Sequence, residues 1–433
     1  MALGGGGFTN YNKVLPGTYI NFVSGANIAG SVGDRGVCAV AIELDWGKEG
    51  EMFSMTAEDF YKNSLKRVGY ATVSAKLNPF KDLFLNASVV HVYRLGNGVK
   101  ASCSCATALY GGKGGNEIKV KVIKNIDDET LFDVVTYFRG VKMDTQSVKT
   151  AAELTDNDFV HFNGESMLEE GVLSLTGGSN ATITGADYQA FLDACENVRF
   201  NTLAAATTNS EVNSLIAAYT KRMREDRGIK FQSVLYKCPY DDIGVINVDT
   251  PAAGSGNTEA SLVWFVAGAT AGCNVNKSLT NKVYNGYYKA ADSYTQAQLE
   301  EGIKAGKFMF HRVDGESRVL ADINSLVNTT DETGEVFKEN QTVRIVDQIA
   351  FDDAKLFATK YLGVVPNDEA GRLSLWSDIV EHRKSLQRMR AIESFKDEDV
   401  TVEKGNSKTS VVITSRICPV NSMTQLYITT TLE

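Results

Sequence analysis

Both ends of this chain carry β-prone segments with a period of two. Between Thr424 and Leu432, Leu426, Ile428, Thr430 and Leu432 fall on one face, and Gln425, Tyr427, Thr429 and Thr431 on the other. A period of two in β-branched and aromatic residues predicts a strand. As the sequence stands, nothing follows this strand to make a hairpin. It either closes a sheet of its own domain or joins a sheet of another molecule, because unpaired strand N–H and C=O groups template association. Thr18–Ser24 alternates in the same way, with Tyr19, Ile20 and Phe22 in the run, behind a glycine leader at Gly4–Gly7 that cannot pack. Two β-prone ends favour strand exchange between subunits; a frayed N-terminus is the plainer alternative.

The chain between these arms (1–24 and 419–433) changes texture several times. Residues 25–95 predict a small mixed domain: a strand over Val37–Asp45, a turn at Trp46–Gly47, a helix from the capping Thr56 towards Val68, and a strand over Asn86–Tyr93. Residues 96–182 predict only strands, with Ile118, Val120 and Val122 alternating with lysines and further strands at Leu131–Phe138 and Val172–Leu175; this predicts an inserted β-sandwich. From 183 to 335 helices and strands alternate. Helices are predicted at Ala186–Asn197, after a Thr208-x-x-Glu211 capping box, at Ala260–Ala271 and after Thr295-x-x-Gln298, and strands at Val198–Ala204, Ile229–Tyr236 and Phe308–Val313. That order predicts a mostly parallel sheet with helices on its faces. Residues 336–418 predict a mixed C-terminal domain. It holds a helix at Val343–Leu362, the longest helix from Asn367–Glu369 to about Ser394, and strands at Val400–Glu403 and Val411–Ile417. The long helix has an apolar stripe of Leu373, Trp376, Ile379 and Val380. Its last turns carry Arg383, Lys384, Arg388 and Arg390, which suit the helix dipole and are ordinarily a solvated face. The predicted class is multidomain, α+β and α/β.

Composition narrows the function. At 433 residues the chain is too long for one core, so roughly two to four domains are expected. A net charge of −9 argues against non-specific nucleic-acid binding. Seven scattered cysteines fit a reducing compartment rather than a disulfide scaffold. The start has no basic region followed by an apolar run, so it does not read as a signal peptide. No run approaches the roughly eighteen apolar residues of a membrane span.

Candidate chemistry is sparse. Of the four histidines, His91 and His161 fall in predicted strands and His382 on a charged helix. His311, on the strand Phe308–Val313, is the one candidate base for a hydrolase, but no Gly-x-Ser-x-Gly turn accompanies it. Cys103 and Cys105 share a face of a predicted strand without the second pair that a zinc site requires, and read as buried small residues. Gly111–Gly115 lacks the Lys-Ser/Thr ending of a phosphate loop and reads as a hairpin tip. No catalytic, cofactor or metal residue is assigned.

Three stretches, Gly4–Phe22, Leu44–Gly47 and Tyr361–Arg372, resemble the tail sheath of contractile phage-like particles. The likeness is strongest to defective prophages and R-type tail bacteriocins of Gram-positive bacteria, clostridia especially. It implies a β-sandwich, an α/β domain called subtilisin-like for its topology and without a catalytic triad, and a C-terminal domain. It also implies hexameric rings stacked helically around an inner tail tube, with baseplate and tail terminator as further partners and no nucleic acid or direct membrane insertion. Terminal arms would add strands to sheets of neighbouring subunits, here through Tyr19, Ile20 and Phe22, and through Leu426, Tyr427, Ile428 and Leu432. Arg383, Lys384, Arg388 and Arg390 would face the tube. The protein would be made in the bacterial cytoplasm and released within a particle on lysis. A tube or baseplate component of the same particle is disfavoured, because tube proteins are usually much shorter single barrels.

Overall fold

The computed structural model describes residues 32–254, 258–331 and 333–432. Tyr19, Ile20 and Phe22 lie outside the described residues. The described residues divide into two compact units: 34–351 with 419–432, and 352–418.

The larger unit begins with β1 (Val37–Glu43), whose nearly unbroken buried run marks a strand covered on both faces. β2 (Met52–Thr56) leads into α1 (Ala57–Val68), where the Thr56 side chain accepts from the Asp59 amide as the sequence predicts. α2 (Asn78–Phe84) and β3 (Val89–Leu95) follow. β1 pairs in parallel with β3, Val37 opposite Val89, and β2 pairs antiparallel to β3.

The β-sandwich comes next. Its strands are β4 (Lys100–Ser102), β5 (Ala106–Gly111), β6 (Ile118–Lys124), β7 (Phe132–Phe138), β8 (Val141–Val148), β9 (Val160–Phe162) and β10 (Gly171–Ser174). They form one sheet in the order β10-β6-β7-β8 and another in the order β4-β5-β9. Ile118, Val120 and Val122 point into a core shared with Phe138, Phe159 and Leu175, as their alternation predicts. That core is completed from outside by Trp46, fully buried against Tyr110, Phe138 and Phe159. Gly111–Gly115 is not the expected hairpin tip. It leads into a short 3-10 turn at Lys113–Glu117, and a Cβ on Gly112 (φ +118°) would lie 2.3 Å from the Asp45 carbonyl oxygen. The glycines there let two backbones touch. Buried Arg94 holds the same junction, donating to the carbonyls of Leu44 (3.0 Å), Gly47 (2.7 Å) and Gly111 (2.7 Å).

The chain then alternates as predicted through α3 (Gly185–Cys195), β11 (Thr202–Ala205), α4 (Ser210–Glu225), β12 (Gln232–Tyr236) and β13 (Val245–Val248). Asn209, not Thr208, caps α4, accepting from the amides of Glu211 and Val212, because it is the residue immediately before the first turn. After β14 (Ala252–Ala253) come α5 (Val263–Gly272), β15 (Lys289–Ala290) and α6 (Gln296–Lys304), the last opened by the predicted Thr295–Gln298 capping box. The expected strand Phe308–Val313 is broken at Met309 into β16 (Lys307–Phe308) and β17 (Phe310–Val313), the second forming a hairpin with β18 (Glu316–Val319).

The central sheet has the order β16-β13-β12-β11-β1-β3-β2, parallel except for β2. Residues 25–95 are therefore not a separate domain. Their strands continue the sheet of 183–335, with Cys38 opposite Thr202. Cys38, Val40 and Ile42 pack on the face carrying α2 and α5, and Ala39 and Ala41 on the face carrying α3 and α4.

Asp82, on α2 and fully buried, accepts from the Tyr287 amide (2.7 Å) and the Tyr284 hydroxyl (3.0 Å). Burial outweighs these bonds and pushes its carboxyl up to about 6. A folded-state value above the unfolded one contributes stability below the unfolded pKa of about 4 that is lost as pH rises through about 6. Asp82→Asn should therefore gain on the wild type by roughly 2–4 kcal/mol between pH ~4 and ~7.5. Urea unfolding at both pH values checks this; a pH-independent difference would contradict it.

α7 (Asn340–Leu356) contains the division between the units. In the smaller unit the predicted 343–362 helix finishes in a wide helical turn at Phe357–Tyr361. α8 (Glu369–Arg388) starts at Asp368, whose side chain accepts from the Gly371 amide (2.8 Å). β19 (Ile392–Glu393) precedes the hairpin of β20 (Val400–Lys404) and β21 (Val411–Ser415). The Trp376 indole N–H donates to the Val400 carbonyl (2.9 Å), tying that hairpin to α8.

Candidate assembly surfaces

None of the four histidines is held by both a hydroxyl and a carboxylate among the described residues. His91 lies between Ser54 Oγ (2.9 Å) and the Arg199 carbonyl (3.0 Å). His161 pairs with Asp156 on the surface. His311 is half-buried on β17, and burial lowers its pKa; the neighbouring Asp292 is engaged by Arg312 at 2.9 Å. Among the described residues no group of three or more His, Cys, Asp or Glu side chains could hold a metal, and no helix is long and apolar enough to cross a membrane.

The basic row of α8 separates into different environments. Arg383 is only 1% exposed and does not belong to a surface strip. Its guanidinium grips Asp353 with two bonds (2.9 and 2.5 Å) and donates to His382 Nδ1 (2.7 Å), while His382 Nε2 bonds Asp352 (2.9 Å). A helix buries one stripe whatever its charges, and the acid doublet at 352–353 supplies the counter-charges that make burial tolerable. Those carboxylates were missed in the sequence; the signal was one doublet of acids and one of His-Arg on neighbouring helices. Lys384 is partly exposed and paired with Asp397 (2.7 Å). Arg388 is exposed and bonds Glu381 (2.6 Å), and Arg390 is exposed at a left-handed turn (φ +61°).

The terminal arm is the most exposed apolar segment described. Leu426, Tyr427, Ile428 and Leu432 are 82, 86, 75 and 91% exposed, and no ladder pairs residues 420–432 with any other described strand. Only its root is fastened. The Gln341 side chain donates to the Val420 carbonyl and accepts from the Ser422 amide, both at 3.0 Å, and Thr342 Oγ1 bonds Asn421 (3.1 Å).

In the smaller unit, β20 and β21 form a two-stranded sheet, so both strands are edges among the described residues. Val412 and Ile413 on β21 are 51 and 39% exposed. An open groove of about 560 Å³ borders β20, with Leu373 and Trp376 in its wall. A second, of about 300 Å³, borders the start of β21, lined by Leu362, Val365 and Leu375. Leu373 is 61% exposed, although its place in the apolar stripe predicted burial.

Among the described residues, the surfaces that stand out are an apolar arm fastened at its root and a two-stranded sheet without further strands on either side. Comparison with known proteins identifies the class. Residues 96–180, 181–325 and 332–433 match the family models for the phage tail sheath protein β-sandwich domain, central domain and C-terminal domain. The chain belongs to the phage tail sheath family, whose members are structural proteins rather than enzymes. It is 30% identical to the phage-like element PBSX protein XkdK of Bacillus subtilis, over 98% of this chain and 99% of that one. It is 34% identical to the sheath tail protein of Desulfitobacterium hafniense, with a TM-score of 0.82 over 95% of this chain and 99% of that one. The anti-feeding prophage helical sheath in its contracted state shares the fold at 12% identity, with a TM-score of 0.59 over 96% of this chain and 99% of that one.

Proposed function

We propose that this sheath protein polymerises as stacked hexameric rings around an inner tail tube and contracts to drive that tube through a target envelope. The observation that carries the reading is a pair of β surfaces unmatched among the described residues: an apolar arm without a ladder, and a two-stranded sheet with no further strand on either side. In this proposal the arm of one subunit, through Leu426, Tyr427, Ile428 and Leu432, adds a strand to the β20–β21 sheet of a neighbour. The N-terminal arm, through Tyr19, Ile20 and Phe22, takes the other edge of a sheet in a further neighbour. Backbone ladders suit this work, because they hold register while the hinges beside them rotate. Subunits then move as rigid bodies into a shorter, wider lattice without losing their links. The energy is stored at assembly in the extended lattice, so firing requires no nucleotide.

The proposal extends to the particle. The central domain follows a subtilisin-like topology without its chemistry, and Lys384, Arg388 and Arg390 face the tube, with Arg383 serving the fold. Baseplate and terminator close the two ends of the stack. The protein is made in the cytoplasm and leaves with the particle on lysis.

Paired cysteines test the exchange. With Ile413→Cys and Ile428→Cys in a chain whose exposed Cys418 and partly exposed Cys103 are replaced by serine, mild oxidation of assembled particles should give a ladder of disulfide-linked oligomers on a denaturing gel. Either substitution alone should give dimers at most. Cross-links formed only within single chains would show that the arm closes its own sheet.

A further inference from the structure

Cys105 is buried in the β-sandwich core and Cys103 packs partly buried against it, as their reading as small buried residues predicts. They occupy the tight turn between β4 and β5, where the Cys103 amide donates to the Ala106 carbonyl (2.8 Å) and brings the two sulfur atoms to 3.6 Å. Cys105 is buried, whereas Cys103 is partly open to solvent. Neighbouring backbone bonds hold the turn on both sides: Ser102 exchanges bonds with Thr176 (2.9 and 3.0 Å), and the Asn163 amide donates to the Cys105 carbonyl (2.8 Å). Two residues so near in sequence would be held apart on a straight strand, and the turn is what puts their sulfurs within reach of a bond near 2.05 Å.

We propose that Cys103 and Cys105 are a redox modification site, an oxidisable dithiol that closes to a disulfide by exchange with a low-molecular-weight disulfide.

The Cys103 thiolate attacks one sulfur of the small disulfide. That sulfur–sulfur bond breaks, a small thiolate leaves with the electron pair and takes a proton from water, and Cys103 carries the mixed disulfide. Cys105 then gives its proton to solvent and attacks the Cys103 sulfur, expelling the second small thiolate. The protein loses two electrons and two protons, and the small disulfide becomes two thiols. The order of attack follows from the surroundings. A hydrogen bond from the Cys105 thiol, together with the amides of Cys105 and Ala106, lowers the Cys103 pKa against its partial burial. The same contact, burial and the charge on Cys103 raise that of Cys105. The first step removes the Cys103 charge and so frees Cys105 to ionise.

The test uses the full chain incubated with oxidised glutathione at neutral pH, quenched in acid, alkylated with N-ethylmaleimide and peptide-mapped. The expected result is a peptide spanning 103–105 that has lost two hydrogens, takes no alkyl group, and regains two alkylation sites after dithiothreitol. Cys105→Ser should stop at a glutathione adduct on Cys103. In Cys103→Ser, Cys105 should react at least about tenfold more slowly than Cys103 does in the wild type. The proposal is overturned if the wild type keeps a glutathione adduct on Cys103 with Cys105 still alkylated, or if Cys105 reacts as fast without Cys103. The wild-type map decides the question even if a variant fails to fold.

Discussion

Arg383→Glu is expected to unfold the Asp352–Cys418 unit rather than weaken a contact with another protein. The wild-type guanidinium is buried, doubly bonded to Asp353, and bonded to His382, which itself holds Asp352. Reversal removes the cation and adds a carboxylate beside two that are already there. Breaking a buried pair costs about 3–5 kcal/mol, against a total stability of about 5–15 kcal/mol for an ordinary domain. Urea unfolding followed by tryptophan fluorescence, with limited proteolysis mapped to 352–418, should show the loss in the isolated subunit. Arg388→Glu with Arg390→Glu is the contrasting variant. Both positions are exposed, so stability should change by less than about 1 kcal/mol while co-assembly with the tube falls. Wild-type stability in Arg383→Glu would contradict the assignment of that residue to the fold.

Asp347→Ala should be nearly as damaging in the larger unit. Asp347, on α7, takes two bonds from Arg224 of α4 (2.6 and 2.7 Å), and both side chains are almost wholly buried. Arg224 also donates to the Phe231 carbonyl (2.6 Å), just before β12, so one guanidinium joins two helices to the central sheet. Truncating the acid leaves a buried cation bonded to the Phe231 carbonyl, with the Asp242 and Glu225 charges acting on it only through space, at a cost of about 3–5 kcal/mol. Replacing both residues, Arg224→Met with Asp347→Leu, should recover most of that loss, because no charge then stays buried. Urea midpoints of the single and double variants check both statements. A loss below about 1 kcal/mol in Asp347→Ala would show that the pair contributes little.

Local signals in this sequence were legible where one element carries its own instruction. Thr56 and Thr295 cap the helices they precede, Val120 alternates inward, and the buried run at Val37–Glu43 is the strand its composition indicated. Pairing was not legible, because it is decided between distant segments. Nothing near Cys38 announces Thr202 as its neighbour, and so residues 25–95 read as a domain of their own. Arg383 was misplaced for a related reason. Helical spacing puts it in a row with Lys384 and Arg388, but burial depends on an acid doublet thirty residues earlier, on another helix. The arm is the converse case. Its alternation was plain at Leu426, Ile428 and Leu432, while a ladder partner is something one strand cannot encode.

The most direct test of the sheath account is negative-stain electron microscopy of the full chain and of a chain ending at Pro419, each supplied with the inner tube protein. Ordered hollow polymers from the full chain and dispersed particles from the truncated one are the predicted result. The smaller unit and its β20–β21 sheet should remain folded in both. Polymers of equal length and order from both chains would contradict a lattice linked through the terminal strand.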